Sequence, residues 1–331
     1  MMSSGERKVR LTTTIATTAM ALWATAAVAD ELSFANFTPA GHPYVGGAFQ
    51  PFADMVAEKT GGDVTVRIYS GGELGPGPVE QYSRAVDGVA DFAFGLPGYT
   101  ASNFPLTLAA ELPGVINVET GTSDLWDNID LLASEYRRVQ LVSLWSSAPN
   151  VLYTRDVAVR SPADVAGMNI RVPSRYAGLQ IEAWGGNPVS MPVTEIYNAM
   201  QTGVIDAAMI DTTATRAFSL GEVANYLTVG FDATNSPFFI VMNRDVFGGL
   251  SDDEQAAVLE AGRAASDLAN ATQLSVAEGG IAALIEAGGE LIELTDEEAA
   301  AFNELSAPIV GQVVAETGEA AQAVVDALSG E

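Results

Sequence analysis

The chain has no cysteine and one histidine, and only 15 of its 331 residues are lysine or arginine, against 42 aspartates and glutamates. Without cysteine there is no disulfide, no thiol nucleophile and no thiolate-held zinc or iron–sulfur centre. The single histidine, His42, rules out a multi-histidine metal site and any HExxH pair. A Ser-His-Asp triad would have to be built on it, and no GxSxG turn accompanies it. The phosphate loop GxxxxGK[ST] is missing, because Lys59 lacks the upstream glycine, and "GPGPVE" fails GxGxxG at its last position. A formal net charge of −27 repels nucleic acid and anionic membrane surfaces alike. Neither is expected as a partner, and no cofactor or metal is expected. An anionic ligand must therefore be drawn in by a local arrangement of positive charge and hydrogen-bond donors. Catalysis by carboxylates alone would need a pair at working distance, and nothing in the sequence pairs them recognisably.

Long apolar runs are also scarce. The one long uncharged stretch is N-terminal, where "ERKVR" supplies a basic start and "LTTTIATTAMALWATAA" a Thr-diluted apolar segment. "AVA" at Ala27 to Ala29 then gives the small-x-small pattern of a signal-peptidase site. Residues 1–29 are expected to be a signal peptide cleaved after Ala29, with the rest exported to the periplasm. The apolar segment is too Thr-rich for a good ~20-residue membrane span.

From residue 30 onward, strand and helix signals alternate. "ELSFANF" and "DVTVRIYS" alternate with period two, and the stretch between them, begun by Pro43 and stopped by Gly61 and Gly62, reads as a helix. The glycine- and proline-rich "GGELGPG" leads into a helix over "PVEQYSRAVDG" and a third strand, "VADFAFG". A helical segment over 122–138 precedes the strands "VQLVSLW" and "NVLYTR". The pattern then restarts: "MNIRV", helix "YAGLQIEAW", "NPVSM", helix "VTEIYNAMQTG", "IDAAMID" and "PFFIVMN". From Ser251, a good N-cap followed by acids, a long helix runs to about Gly288. "ELIEL" and a helical tail finish the chain. This alternation predicts an α/β protein with mostly parallel sheets. Two rounds of it predict two lobes, with a ligand cleft where the carboxyl ends of the strands meet.

The segment "SPADVAGMNIRVPSRYAGLQIEAWGGNPVSMPVTEIYNAMQTGVIDAAM", residues 161–209, resembles the solute-binding subunits of TRAP transporters, the DctP-like family. The family's proline-led turn, "IRVP", "GANPxPMP" and "xEVYxALQTGxVDG" patterns are met at Pro162, Asp164, Gly167, Ile170 to Pro173, and Asn187 to Pro188. Met191 to Pro192, Glu195, Tyr197 and Gln201 to Gly203 match as well. "FADMVAEKTGGDVTVRIYSGGELG" extends the likeness upstream, so it covers nearly all of the chain beyond residue 29. The resemblance implies two α/β lobes with a cleft between them and a long helix spanning both. Lobe I would be 30–148 plus 237–277, and lobe II 149–236 plus 278–331. It also implies a periplasmic receptor, a monomer by default, that hands a small organic acid anion to integral membrane permease subunits and does no chemistry itself.

Arg171 falls on the family's arginine that pairs with the ligand carboxylate. Its chemistry suits the role independently: a guanidinium offers parallel N–H donors at carboxylate spacing and keeps its charge in a partly dry cleft. Departures from the pattern bear on the substrate. Ile210 stands at or near the family's assisting Asn, and Val193 replaces a frequent aromatic. Val151 falls close to the place of a second arginine seen in some members, with Arg155 only nearby. Losing these partners points to a monocarboxylate with an apolar or aromatic body, because a second carboxylate or a polyol would leave buried polar groups unpaired. Tyr99, Trp145, Tyr153 and Phe238 are candidate aromatic walls. Asp211 either accepts a hydrogen bond from a ligand hydroxyl or amine or caps the following helix. His42 reads as a cap or surface residue. The competing readings are a C4-dicarboxylate receptor, a binding protein of an ABC importer or sensor, and a periplasmic enzyme using cleft carboxylates.

Overall fold

The computed structural model describes residues 30–330, so the expected signal segment and its cleavage point lie outside the described residues. Among these, two sheets form. The first holds five strands in the order β2-β1-β3-β10-β4, with β1 Asp30–Ala35, β2 Val64–Tyr69, β3 Phe92–Gly95, β4 Val139–Ser146 and β10 Pro237–Asn243. The second holds six in the order β11-β9-β5-β8-β6-β7, with β5 Val151–Thr154, β6 Asn169–Val172, β7 Asn187–Ser190, β8 Ala207–Ile210, β9 Tyr226–Val229 and β11 Glu290–Glu293. Every residue of β3 and β10 is buried, which explains their unbroken apolar runs. Strand β2, at the edge, keeps Arg67 exposed.

The sheets are mostly parallel by strand direction, as expected, with one reversed strand in each. In the first sheet only β10 runs against its neighbours, pairing antiparallel with β3 and β4. In the second only β5 does, pairing antiparallel with β8 and β9. Both are the strands entered directly after the chain crosses between lobes. β4 ends at the cleft and the chain enters the other lobe from the cleft side, so the next strand must run away from it. The return through β10 obeys the same geometry. The two crossing segments lie side by side, with Ser147 N–H donating to Ser236 O at 2.9 Å and Asn150 N–H to Thr234 O at 2.9 Å.

The expected long helix is present as Asp252–Glu286, with Ser251 and Glu254 forming a reciprocal capping box. At 1.5 Å per residue it is about 50 Å long, enough to touch both lobes. On β4, Ser143 Oγ donates to Gly262 O at 2.7 Å and Ser266 Oγ accepts from Leu144 N at 3.1 Å. Toward its other end, Thr212 Oγ1 donates to Ala277 O at 2.7 Å. Glycine allows this proximity: a Cβ on Gly262 would lie 2.2 Å from Val142 O, and one on Gly280 would lie 1.8 Å from Thr212 O.

The C-terminal helices correct the expected lobe division. Pro308–Thr317 and Glu319–Ser329 place Ile309, Val313, Val324 and Leu328 in a cluster with Phe104, Leu108, Leu125 and Leu132 of the first lobe. The tail beyond Ser306 therefore returns to lobe I instead of completing lobe II, because its apolar stripe finds its matching surface there. Helix Asp296–Ser306 does stay on lobe II, where Phe302 packs edge-on against Trp184.

Adjacent glycines in the long helix offer a direct test of the clamp. Gly280→Ala should destabilise the protein by about 1–3 kcal/mol in urea unfolding, since the blocking atom is backbone and cannot rotate away. Gly279→Ala, with no atom within 4 Å of its Cβ, should be neutral or stabilise by up to ~1 kcal/mol. Equal effects of the two would dismiss the close approach as a constraint.

Candidate functional site

Strand β6 carries Arg171 between β7 and β8, opposite Val189 and Ala208. Strand alternation sends Ile170 and Val172 into the lobe II core and Arg171 to the other face, toward the cleft. This explains an arginine inside an apolar run. Its side chain is 2% exposed, yet no carboxylate lies within ion-pair distance among the described residues. Instead Nε donates to Met191 O at 3.0 Å, Nη1 to Met209 O at 3.1 Å and Nη2 to the Tyr99 hydroxyl at 3.3 Å. A guanidinium has five N–H donors. Three are used here, leaving one on each terminal nitrogen. Burial draws the Arg171 pKa down, while Tyr99, Glu111 and Asp211 nearby favour its charged form.

Tyr99 reaches across from lobe I, from the short helical segment Pro97–Asn103 that follows β3. Its hydroxyl accepts both from Arg171 and from Val193 N–H at 3.1 Å, so the lobes are bonded together at this point. Its own proton has no acceptor among the described residues. Burial raises its pKa, which keeps that proton in place. Next to it, Gly98 lets the loop approach lobe II, where a Cβ would meet Pro173 O at 3.0 Å.

These groups open onto a narrow cavity of about 40 Å³ between the lobes. Its wall includes Phe37, Phe94, Leu96, Val193, Ile210, Phe218 and Phe238. Of the residues proposed from sequence, Arg171, Tyr99, Asp211 and Phe238 meet here. Trp145 does not line the cavity. It stands behind Phe94 and Phe238, stacked at 5.7 and 5.6 Å, and so supports the wall without forming its surface. Tyr153 lies in Arg171's cross-strand row through Ala208, but segment Ala214–Ala217 covers it and Thr215 bonds its hydroxyl. The two apolar replacements, Val193 and Ile210, are both in the wall. Arg155 is turned away, bonded to Asp156 at 2.7 Å and Met200 O at 3.0 Å.

Sequence reasoning missed His42, Tyr44 and Gln273, which also line the cavity. His42 is buried, not a surface residue, and desolvation lowers its pKa to about 4. The signal was available in its position just past the carboxyl end of β1, where ligand loops of α/β sheets lie. Gln273 gave no such signal, since it is one polar residue in a long helix. Several lining polar groups are already engaged: Asn150 Nδ2 donates to Thr234 Oγ1 at 2.9 Å, and Thr38 Oγ1 to Asn36 Oδ1 at 2.9 Å.

Glu111, buried near Arg171, accepts from Ser236 Oγ at 3.1 Å. Desolvation raises its pKa to about 7, only partly offset by Ser174, Ser236 and Arg171.

A two-lobed α/β protein with a cavity between its lobes, of the solute-binding kind, is the class that this fold defines. The family profile described as "Bacterial extracellular solute-binding protein, family 7" (DctP) matches residues 34–317. The chain belongs to this family, the periplasmic solute-binding proteins of TRAP transporters. A "Solute-binding protein" of Chromohalobacter salexigens is 29% identical over 313 residues, covering 91% of this chain and 90% of that one. Among solved structures, a marine metagenome TRAP solute-binding protein specific for aromatic acid ligands, from an unidentified microbe and in complex with 3-hydroxybenzoate, superposes with a TM-score of 0.84. It shares 24% identity, over 91% of this chain and 97% of that one. Another, from Chromohalobacter salexigens with bound D-glucuronate, has a TM-score of 0.80 and 25% identity, over 90% and 99%.

The raised Glu111 pKa fixes a sign. Between pH ~4.5 and about 7 the folded chain holds a proton that the unfolded chain releases, so this residue's contribution to stability falls as pH rises through that window. Glu111→Gln should therefore gain stability over the parent between pH 5 and pH 8, by roughly 3 kcal/mol. His42 has the opposite dependence but is common to both proteins and cancels in the difference. Denaturant unfolding at the two pH values is the measurement; a pH-independent difference would place the Glu111 pKa in the ordinary range.

Proposed function

We propose that this chain is a periplasmic receptor for a monocarboxylate with an apolar or aromatic body, delivered to a TRAP-type permease. One observation carries the reading. Arg171 is buried, lacks an acidic partner among the described residues and presents two unused N–H donors to a cavity whose wall includes four phenylalanines with Leu96, Val193 and Ile210. A buried charge without a counter-ion is costly. A ligand carboxylate supplies that counter-ion, and the free Tyr99 proton adds a third hydrogen bond. The ligand bridges the lobes in this way, and the closed form becomes the one the permease recognises.

The neighbours bind acids of different character, an aromatic hydroxy acid in one and a uronate in another. The wall favours the first kind. A uronate needs partners for several hydroxyls, whereas Asn150 and Thr38 are already committed to protein groups. A C4-dicarboxylate needs a second cation, and Arg171 is the only arginine or lysine among the residues lining the cavity. We propose a receptor without catalytic activity, exported through residues 1–29 and acting as a monomer, with nucleic acid no partner.

Thermal-shift screening of aliphatic and aromatic carboxylic acids, followed by calorimetry, tests the reading. Arg171→Met should weaken the best hit by about 100-fold or more, and Tyr99→Phe by about tenfold, with both variants folded. Undiminished binding by Arg171→Met, or a C4-dicarboxylate stabilising the protein above every monocarboxylate, would sink it.

A further inference from the structure

The cavity holds a second polar element besides the carboxylate receptor, organised around Tyr44. The Trp145 indole N–H donates to the Tyr44 hydroxyl at 3.2 Å, and that hydroxyl donates onward to Gln273 Oε1. With its oxygen committed to Tyr44, the Gln273 amide has its NH₂ left to offer Asp211; burial raises the Asp211 pKa, and Thr213 and Gln273 offset this in part. The Thr213 N–H donates to Asp211 Oδ1 at 3.0 Å, and the Thr213 hydroxyl donates to the same oxygen. The donations from Trp145 to Tyr44 and from Tyr44 to Gln273 run one way, and Asp211 accepts twice from Thr213. Asp211 lines the cavity, is 5% exposed and has no cation within ion-pair distance among the described residues.

His42 packs on Tyr44 with ring centroids 4.9 Å apart and lines the same cavity. Its Nδ1 accepts from the Tyr44 backbone N–H at 3.2 Å. Burial keeps the ring neutral, so the proton is on Nε2, and this donor has no partner among the described residues. The element therefore offers one unfilled acceptor, on Asp211, and one unfilled donor, on His42.

We infer that Asp211 and His42 form a subsite that selects a ligand hydroxyl on the apolar body, away from the carboxylate held by Arg171. A hydroxyl is both donor and acceptor, and it satisfies the two groups together. An ammonium has donors only and would leave the His42 N–H facing a cation. A second carboxylate has acceptors only and brings no donor for the Asp211 oxygen. An unsubstituted body leaves both groups buried and unpaired, which is costly. The inference rests on the carboxylate reading above and narrows it to hydroxy acids.

The test is calorimetry on the mature protein with benzoate, phenylacetate, butyrate and hexanoate, each beside its hydroxylated derivatives: 3- and 4-hydroxy for the aromatic acids, ω-hydroxy for the aliphatic ones. 3-(Aminomethyl)benzoate and isophthalate complete the panel. At least one hydroxy acid should bind about tenfold or more tightly than its parent. In Asp211→Asn and in His42→Gln that ratio should fall below about threefold. Each variant is first checked for a cooperative thermal transition, and because the ratio is internal to one protein, a general loss of affinity cannot imitate the result. Parents binding as tightly as their hydroxy derivatives would overturn the inference, as would a ratio that survives in both variants. Preference for the ammonium or the second carboxylate would overturn it too. If no acid in the panel binds, the carboxylate reading falls and takes this one with it. If acids bind without hydroxyl preference, only this inference falls.

Discussion

A buried guanidinium without an acidic partner is the constraint around which the lobes are arranged. Arg171 cannot be solvated by bulk water where it sits, so the fold surrounds it with the carbonyls of Met191 and Met209 and the Tyr99 hydroxyl. Two of these come from its own lobe and fix its direction. The third comes from the other lobe and exists only when the cleft is shut. In the proposed reading the same residue is both receptor and part of the contact between the lobes, which would couple ligand capture to lobe geometry without a separate device.

Closure needs rigid bodies to close, and the long helix and the paired crossing segments provide them. The helix is tied to β4 through Ser143 and Ser266 and to lobe II through Thr212, with glycine at both points of nearest approach. The crossing segments at 147–150 and 234–236 bond to each other, so they flex as one ribbon and not as two independent loops. The reversed strands β5 and β10 follow from the same crossings. A chain that must leave one sheet at the cleft and enter the next from the cleft has no other direction available.

Local patterns made much of this legible. Short apolar alternation found ten of the eleven strands, the Ser251 cap began the long helix where expected, and Arg171 stood out because a charge in a buried strand demands a reason. What stayed hidden was non-local. Strand direction depends on where the chain crosses, and no window of residues records that. Strand β9, no shorter than β3, β5 or β11, is one that the local pattern leaves unmarked. Trp145 and Phe238 are opposite one another in the β4–β10 ladder, yet only Phe238 meets the cavity. Which of two paired rings is in front is set by packing. His42 does cap the helix that follows, accepting from Tyr44 N–H, but it is no surface residue: its burial comes from Phe218 and Tyr44, distant and near in sequence, closing over it.

The acidity of the chain and the anion it is built to hold are reconciled by distance and dielectric. Surface carboxylates repel an approaching anion, but at physiological salt this field decays within about 8 Å. Inside the cleft the proposed anion would contact a fixed guanidinium, shielded from that surface, where the attraction is many times larger than in water. The interior charges keep the same order. Glu111, the acid set nearest to competing for Arg171, has its pKa raised to about 7 by burial, so it readily gives up its charge when an anion arrives. Burial raises the Asp211 pKa as well, and hydrogen bonds from Thr213 and Gln273 offset this only in part. Both buried acids therefore give up their charge more readily than a surface carboxylate does, so neither competes strongly for Arg171 with the anion proposed as its ligand.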